Sequence, residues 1–545
     1  MDGVTAIANI LRMEGVEFIG CVPYQPLLDA AATAGIRPII FRQESTGIHM
    51  VDGYSRVTNG KRLGVFMMQN GPGAENAFGG VAQAFAESVP ILLLPAGVSR
   101  DQRGVHPNFY PTRSFETITK WSAEINMVER VPDLMRRAFS KLRSGRPGPV
   151  LLEIPQDVAE GELPEELFNY QPPRFVRQQA DPADVSRAAA ALLAAQRPII
   201  QAGQGVLYAE ATEELIELAE FLQAPVMTTL PGKSAFPENH PLALGAGGPS
   251  TTAAVHKYMN WSDLIFGAGC SFVKTFFAVS IPTGKVMIHA TNDEDAIGRE
   301  YNCDFPVLGD AKLVLRQLLE ELKNRAGSAR PVNQALQDDI RSVKQNWLAQ
   351  WMPKLTSDET PINPYRVIWD LMHTVDLDNT IVTHESGSAR EYMVPFWEAR
   401  APRSFIGWGK STQLGYRLGL AMGAKMALPE KQVINVMGDM AFGTVGLDVE
   451  TAVRCGIPTM TVVNNNSFMS IYDGRQFPAA LEEYRFQELS GRFSEVAQAL
   501  GAYSEKITEP QEIVPAIKRG LEATSCGKTV VLEFITRDEG GFSKF

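Results

Sequence analysis

The chain has 545 residues, 45% hydrophobic and 21% charged, with a formal net charge of -11. That length exceeds what one hydrophobic core supports, so about three domains are expected, and the composition excludes a disordered chain. The acidic balance and the lack of a Lys/Arg-rich block argue against nucleic acid as a partner.

The five cysteines, Cys21, Cys270, Cys303, Cys455 and Cys526, are scattered without paired metal-ligand spacing and read as free thiols of a reducing compartment. Residues 1–20 carry Asp2, Arg12, Glu14 and Glu17 among apolar positions, as an amphipathic helix does and a cleaved signal does not. The longest apolar run, Val89 to Val98, contains Pro90 and Pro95 and is too short for a bilayer. A cytoplasmic location without membrane contact is expected.

In chain order, helical periodicity alternates with strand-like runs at Arg37 to Phe41, Leu63 to Met68, Ile91 to Pro95 and Val150 to Ile154. Such alternation predicts an α/β fold with parallel sheets flanked by helices. A first domain over 1–165 gives way to a segment, Gly161 to Asp184, interrupted by Pro164, Pro172, Pro173 and Pro182, which reads as a linker.

A second α/β block, 185–325, has strand-like runs at Arg197 to Gln201, Pro225 to Thr229, Asp263 to Phe266 and Lys285 to His289. Gly203-Gln204-Gly205 follows the first run, as in a Rossmann-like nucleotide loop, so FAD or an adenine nucleotide is a possible ligand there. One polar helix within 326–364 leads to a third domain, 360–545. The dipeptides Gly53-Tyr54 and Gly415-Tyr416, each ahead of a strand, suggest that the first and third domains are alike.

The strongest chemical signal is Val433 to Gly443, a strand ending in Gly438-Asp439-Met440-Ala441 before a helix, followed by Thr461 to Asn466. Asp439 and Asn466 are separated by a strand-end, helix, strand-end unit, which brings both to the carboxyl edge of a parallel sheet. The Asp439 carboxylate, the Asn466 side-chain oxygen and the Phe468 carbonyl would suit Mg2+, which shares its octahedral shell with phosphate oxygens. Met440 and Ala441 would offer helix-start amides to phosphate. A plain turn with a capping aspartate is the alternative reading of either half alone.

This pattern resembles the cofactor-anchoring motif of thiamine diphosphate enzymes, with Met440 in place of the third residue of Gly-Asp-Gly. Arg42-Gln43-Glu44-Ser45-Thr46, then Gly71-Pro72-Gly73-Ala74-Glu75-Asn76, are similar to the acetolactate synthase-like branch, whose members include pyruvate decarboxylase, benzoylformate decarboxylase and benzaldehyde lyase. The resemblance makes Glu44 the catalytic carboxyl, exchanging a proton with N1′ of the pyrimidine so that C2 of the thiazolium can be deprotonated. It assigns cofactor contacts to Pro72, Asn76, Gly387, Ser388, Gln413, Gly438 and Ser470, and makes Leu414 the apolar wedge under the bent cofactor. Tyr24, Gln25 and His106 would face substrate. Tyr24-Gln25 departs from the paired glycines of acetolactate synthases, and no close match to their flavin segments is present.

The resemblance implies carbon-carbon bond cleavage or formation next to a carbonyl, on a 2-oxo acid, by decarboxylation or carboligation, in a homodimer or homotetramer with active sites between subunits. Two alternatives stay open: a 2-hydroxyacyl or oxalyl coenzyme A lyase, and a catalytically silent ligand-binding relative.

Overall fold

The computed structural model describes residues 1–23, 25–472 and 476–545, and of Gln25 only the backbone. Three sheets follow one another along the chain, each of six parallel strands.

The first contains β1 (Phe18–Cys21), β2 (Arg37–Ile40), β3 (Gly64–Met68), β4 (Ile91–Gly97), β5 (Trp121–Glu124) and β6 (Val150–Pro155), in the order β2-β1-β3-β4-β6-β5. Strands β3, β4 and β6 are buried at every position. Helices on both faces of a parallel sheet require this, which is why these strands read as continuous apolar runs.

The middle sheet contains β7 (Pro198–Ala202), β8 (Val226–Thr229), β9 (Ala243–Gly247), β10 (Leu264–Ala268), β11 (Val286–Thr291) and β12 (Phe305–Leu308). Its order, β12-β11-β10-β7-β8-β9, is that of a doubly wound dinucleotide-binding sheet. The third contains β13 (Thr380–His384), β14 (Phe405–Ile406), β15 (Gln432–Gly438), β16 (Met460–Asn465), β17 (Tyr503–Ile507) and β18 (Val530–Ile535), in the order β14-β13-β15-β16-β18-β17. Taken strand by strand, this repeats the first sheet. The polar connecting helix is Gln334–Leu355.

The outer domains meet through two helices, Glu44–Val57 and Tyr416–Ala427. Every residue of the first is buried. Contact is backbone on backbone: a Cβ on Gly423 would lie 1.9 Å from the Met50 carbonyl oxygen, one on Gly419 2.4 Å from that of Thr46, and one on Gly53 2.1 Å from that of Leu420. The expected equivalence of Gly53-Tyr54 and Gly415-Tyr416 therefore needs correction. The helices correspond, but Gly53 lies well inside its helix whereas Gly415 caps the start of the other.

Charge is buried at this junction, and Asp52 and Arg56 form an ion pair there. The Arg56 guanidinium donates to both oxygens of Asp52 at 2.8 and 2.9 Å, and the Tyr416 hydroxyl donates to Asp52 at 2.6 Å. Overpacking costs about 1 to 3 kcal/mol where a core cannot yield, and a carbonyl yields little. Gly423→Ala is therefore expected to lower the apparent Tm and loosen the junction, whereas Gly443→Ala, with open space around its Cβ position, serves as control. Equal melting curves for the two variants would contradict the backbone contact.

Candidate active site

In the third sheet the chain leaves β13 to one side for β14 and returns on the other for β15. Such a reversal opens a crevice at the carboxyl ends of the two strands, where ligands of α/β sheets bind. Three loops meet at this edge, 385–388 after β13, 438–441 after β15 and 465–471 after β16. Strand register pairs His384 with Val436 and Gly438 with Asn464.

Asp439 is the first residue of the helix Asp439–Val445 and is buried. Its Oδ1 accepts the Met440 N–H at 2.7 Å and its Oδ2 the Ser467 N–H at 2.8 Å, which ties the β15 turn to the β16 loop. In that loop Asn466 Oδ1 accepts the Phe468 N–H at 3.1 Å, Asn466 Nδ2 donates to Ser470 Oγ, and Ser470 Oγ donates to the Phe468 carbonyl at 3.4 Å. Ser467 adopts φ 54°, which makes this tight turn possible. Burial raises the Asp439 pKa, and the Met440 and Ser467 amides oppose the shift. The Met440 amide, expected to face phosphate, donates here to the Asp439 carboxylate. Gly387, at φ 75°, caps the helix Ser388–Met393 and faces Ile471.

The donor set can be tested against a divalent cation. Among the described residues no three His, Cys, Asp or Glu side chains converge as a metal cluster. The side-chain oxygens of Asp439 and Asn466 each accept one hydrogen and keep a further lone pair, whereas the Phe468 carbonyl accepts two, from the Ser470 N–H at 3.0 Å and Ser470 Oγ at 3.4 Å; oxygens of this kind are the hard donors that suit Mg2+. Beside them both amide atoms of Asn464 are buried without a hydrogen-bond partner. The Asp439 and Asn466 oxygens are of the kind that fits a divalent cation, and the unpartnered Asn464 amide is free to meet a polar ligand.

The first domain supplies a second group. Glu44 opens its helix, is 5% exposed, and accepts from Asn76 Nδ2 at 3.2 Å. Pro72 begins the helix Pro72–Ala86, which carries Asn76. Gln413 lies between the domains: its N–H donates to Gln83 Oε1 at 3.1 Å, and its Oε1 lies 3.3 Å from His49 Nε2. Burial lowers the His49 pKa to about 3, so the ring is neutral and Nε2–H is the donor. Leu414 is partly buried against the core shared by both domains.

Among the described residues no hydrogen bond joins Glu44 or Asn76 to the cluster from Asp439 to Ser470. His106 stands on an exposed loop. Tyr24 and the Gln25 side chain lie outside the described residues.

The chain matches family models described as thiamine pyrophosphate enzyme, N-terminal TPP binding domain over residues 1–120, central domain over 185–318, and C-terminal TPP binding domain over 385–534. A probable acetolactate synthase large subunit of Methanocaldococcus jannaschii is 32% identical, covering 96% of this chain and 90% of the relative. The chain belongs to the thiamine pyrophosphate enzyme family. Another probable large subunit, from Methanococcus aeolicus, is 30% identical over 98% of this chain and 92% of its own length. For the acetolactate synthase isozyme 3 large subunit of Escherichia coli the figures are 28%, 98% and 94%. These relatives put this thiamine pyrophosphate enzyme in the acetolactate synthase-like branch.

Sequence reasoning missed two groups in this thiamine pyrophosphate enzyme. His49 had a weak signal, five positions after Glu44 on the same helix, between one and two turns on. Glu385 had none, being a lone acid in Thr383-His384-Glu385-Ser386, yet it is 0% exposed beside the Gly387 loop. Burial pushes its pKa up to about 7, with Arg417 opposing.

Proposed function

We propose that this enzyme makes or breaks a carbon-carbon bond next to a carbonyl of a 2-oxo acid, with carboligation as its main reaction, using thiamine diphosphate and Mg2+. The observation that carries this is the oxygen cluster of Asp439, Asn466 and Phe468 at the reversal of the third sheet, supported by relatives named as acetolactate synthases. Thiamine diphosphate, when bound, supplies a carbon acid and an electron sink.

The chain's own residues do the rest. Asp439, Asn466 and the Phe468 carbonyl would hold the cation; Gly387, Ser388, Gly438, Ala441 and Ser470 would surround the diphosphate, with Met440 on the rim. Leu414 would support the bent cofactor beside Gln413. Glu44, steadied by Asn76, would pass a proton to and from the pyrimidine, and Pro72 would shape the same wall. His106, with Tyr24 and Gln25, would meet substrate.

A second copy of the chain is the partner that would unite Glu44 with the metal loops, in a homodimer or a dimer of dimers. Exposed Phe78 and Phe85 on the helix Pro72–Ala86, and exposed Met440, Leu447 and Ile471 near the metal loops, support such contact. The domains are read as 1–165, 185–325 and 360–545, and the cytoplasm as the compartment; among the described residues no helix is long and apolar enough to cross a membrane.

A cavity of about 450 Å³ lies beside Gly205 and Gly269 of the middle domain and reaches Arg146 and Lys410. If the chain carries FAD or an adenine nucleotide, this cavity is its place. Denaturing the purified protein and assaying the released small molecules decides between a filled pocket and a remnant.

Chelation followed by gel filtration is expected to abolish carboligation of a 2-oxo acid, and thiamine diphosphate with Mg2+ to restore it. Full activity in protein free of both would sink the proposal.

A further inference from the structure

The helix Tyr416–Ala427 begins without a side-chain cap: Gly415 holds the cap position at φ 86° and has nothing to offer the first-turn amides. Amides so placed need an acceptor from elsewhere. Glu385 supplies it. Its Oε2 accepts the Arg417 N–H at 3.3 Å, while Oε1 accepts the Ser386 N–H at 2.7 Å within its own loop. One carboxylate thus spans two loops, that of Gly387 and Ser388 and that of Leu414 and Gly415. Its charge also complements the positive end of the helix dipole.

The same short loop is fixed from the other side. A Cβ on Gly415 would lie 2.5 Å from Thr444 Oγ1 and 2.7 Å from Val445 Cγ1, both on the helix that starts at Asp439. The segment carrying Leu414 is therefore set between the Glu385 loop and the last turn of the helix that starts at Asp439.

Arg417 completes the arrangement without competing for it. Its guanidinium is buried over the Trp408 ring, 4.0 Å from the centroid, and none of its three nitrogens has a hydrogen-bond partner. It balances the Glu385 charge through space and leaves the carboxylate oxygens to the amides.

We propose that Glu385 is a positioning residue, tying the loop that carries Leu414 to the loop that would hold the diphosphate, so that wedge and anchor keep one geometry. The inference rests on the reading of Leu414 as the cofactor's wedge.

The first test needs no cofactor. In the apoprotein, Glu385→Ala and Glu385→Gln should speed amide exchange of the peptide covering residues 411–419, by about tenfold or more for the alanine variant, with peptides of the first sheet unchanged. If the alanine variant does not fold, the glutamine variant decides. The second test measures C2 proton exchange of saturating thiamine diphosphate in Glu385→Gln, Leu414→Ala and the double variant. Each single change should slow exchange about tenfold or more, and the double should be far from additive, as for residues acting through one contact. Unchanged amide exchange in 411–419, or strictly additive costs, overturns the proposal. If Leu414→Ala leaves C2 exchange at the wild-type rate, the wedge reading fails instead, and the apoprotein result alone judges the tie.

Discussion

Glu44→Gln is expected to slow C2 proton exchange of bound thiamine diphosphate by about 10² to 10⁴-fold, the usual contribution of general acid-base catalysis. The amide keeps the shape of the side chain and an oxygen that can accept from Asn76 Nδ2, so the local structure and cofactor affinity should change little. What the amide cannot do is exchange a proton with the pyrimidine. His106 gives the contrast. It stands on an exposed loop, and His106→Ala should leave C2 exchange nearly untouched while altering acceptor addition or product release. Rapid acid quench with proton NMR of the cofactor reads both variants. Wild-type exchange in Glu44→Gln would remove Glu44 from the catalytic role.

The second large effect is recovery of activity from two inactive proteins. Asp439→Ala removes the carboxylate that joins Met440 to Ser467, and with it a proposed cation ligand. Glu44→Gln disables the proton path and leaves the metal loops intact. If each site takes its glutamate from one copy and its metal loops from the other, a hybrid dimer contains one fully wild-type site and one doubly impaired site. Random exchange of equal amounts then restores about a quarter of wild-type activity in a symmetric dimer. Native mass spectrometry verifies the exchange. Verified hybrids without activity would mean that each site is built within one chain.

The meeting of the Asp439 turn with the loop after β16 was legible because both follow strongly apolar strands, and parallel strands deliver their carboxyl ends to one edge. Asp439 and Asn466 needed only that edge to meet. Glu385 was illegible for the opposite reason. Its role depends on a helix more than thirty positions later docking with its bare N-terminus against β13, and no local period encodes that contact. The same limit hid β14, whose two residues exist as strand only through pairing with β13, and β5, whose residues are only partly buried. The middle domain was legible as α/β, but its strand order, which makes it a dinucleotide-type sheet, belongs to tertiary pairing alone.

The position of β18 has a consequence for synthesis on the ribosome. In the third sheet β18 is inserted between β16 and β17, pairing Asn464 with Phe534 and Ile507 with Phe534 on its two sides. In the first sheet the equivalent strand, β6, is complete by residue 155. Domains emerging from the ribosome fold in order, and distant strand pairing is slow. The first sheet can therefore close while most of the chain is still being made. The third must wait, with one edge of β16 open and β17 without a strand partner, until residue 535 has left the exit tunnel. Nascent chains stalled between β17 and β18 thus present open strand edges of the kind that chaperones cover, and mutations that weaken β18 are expected to lower yield before they lower turnover.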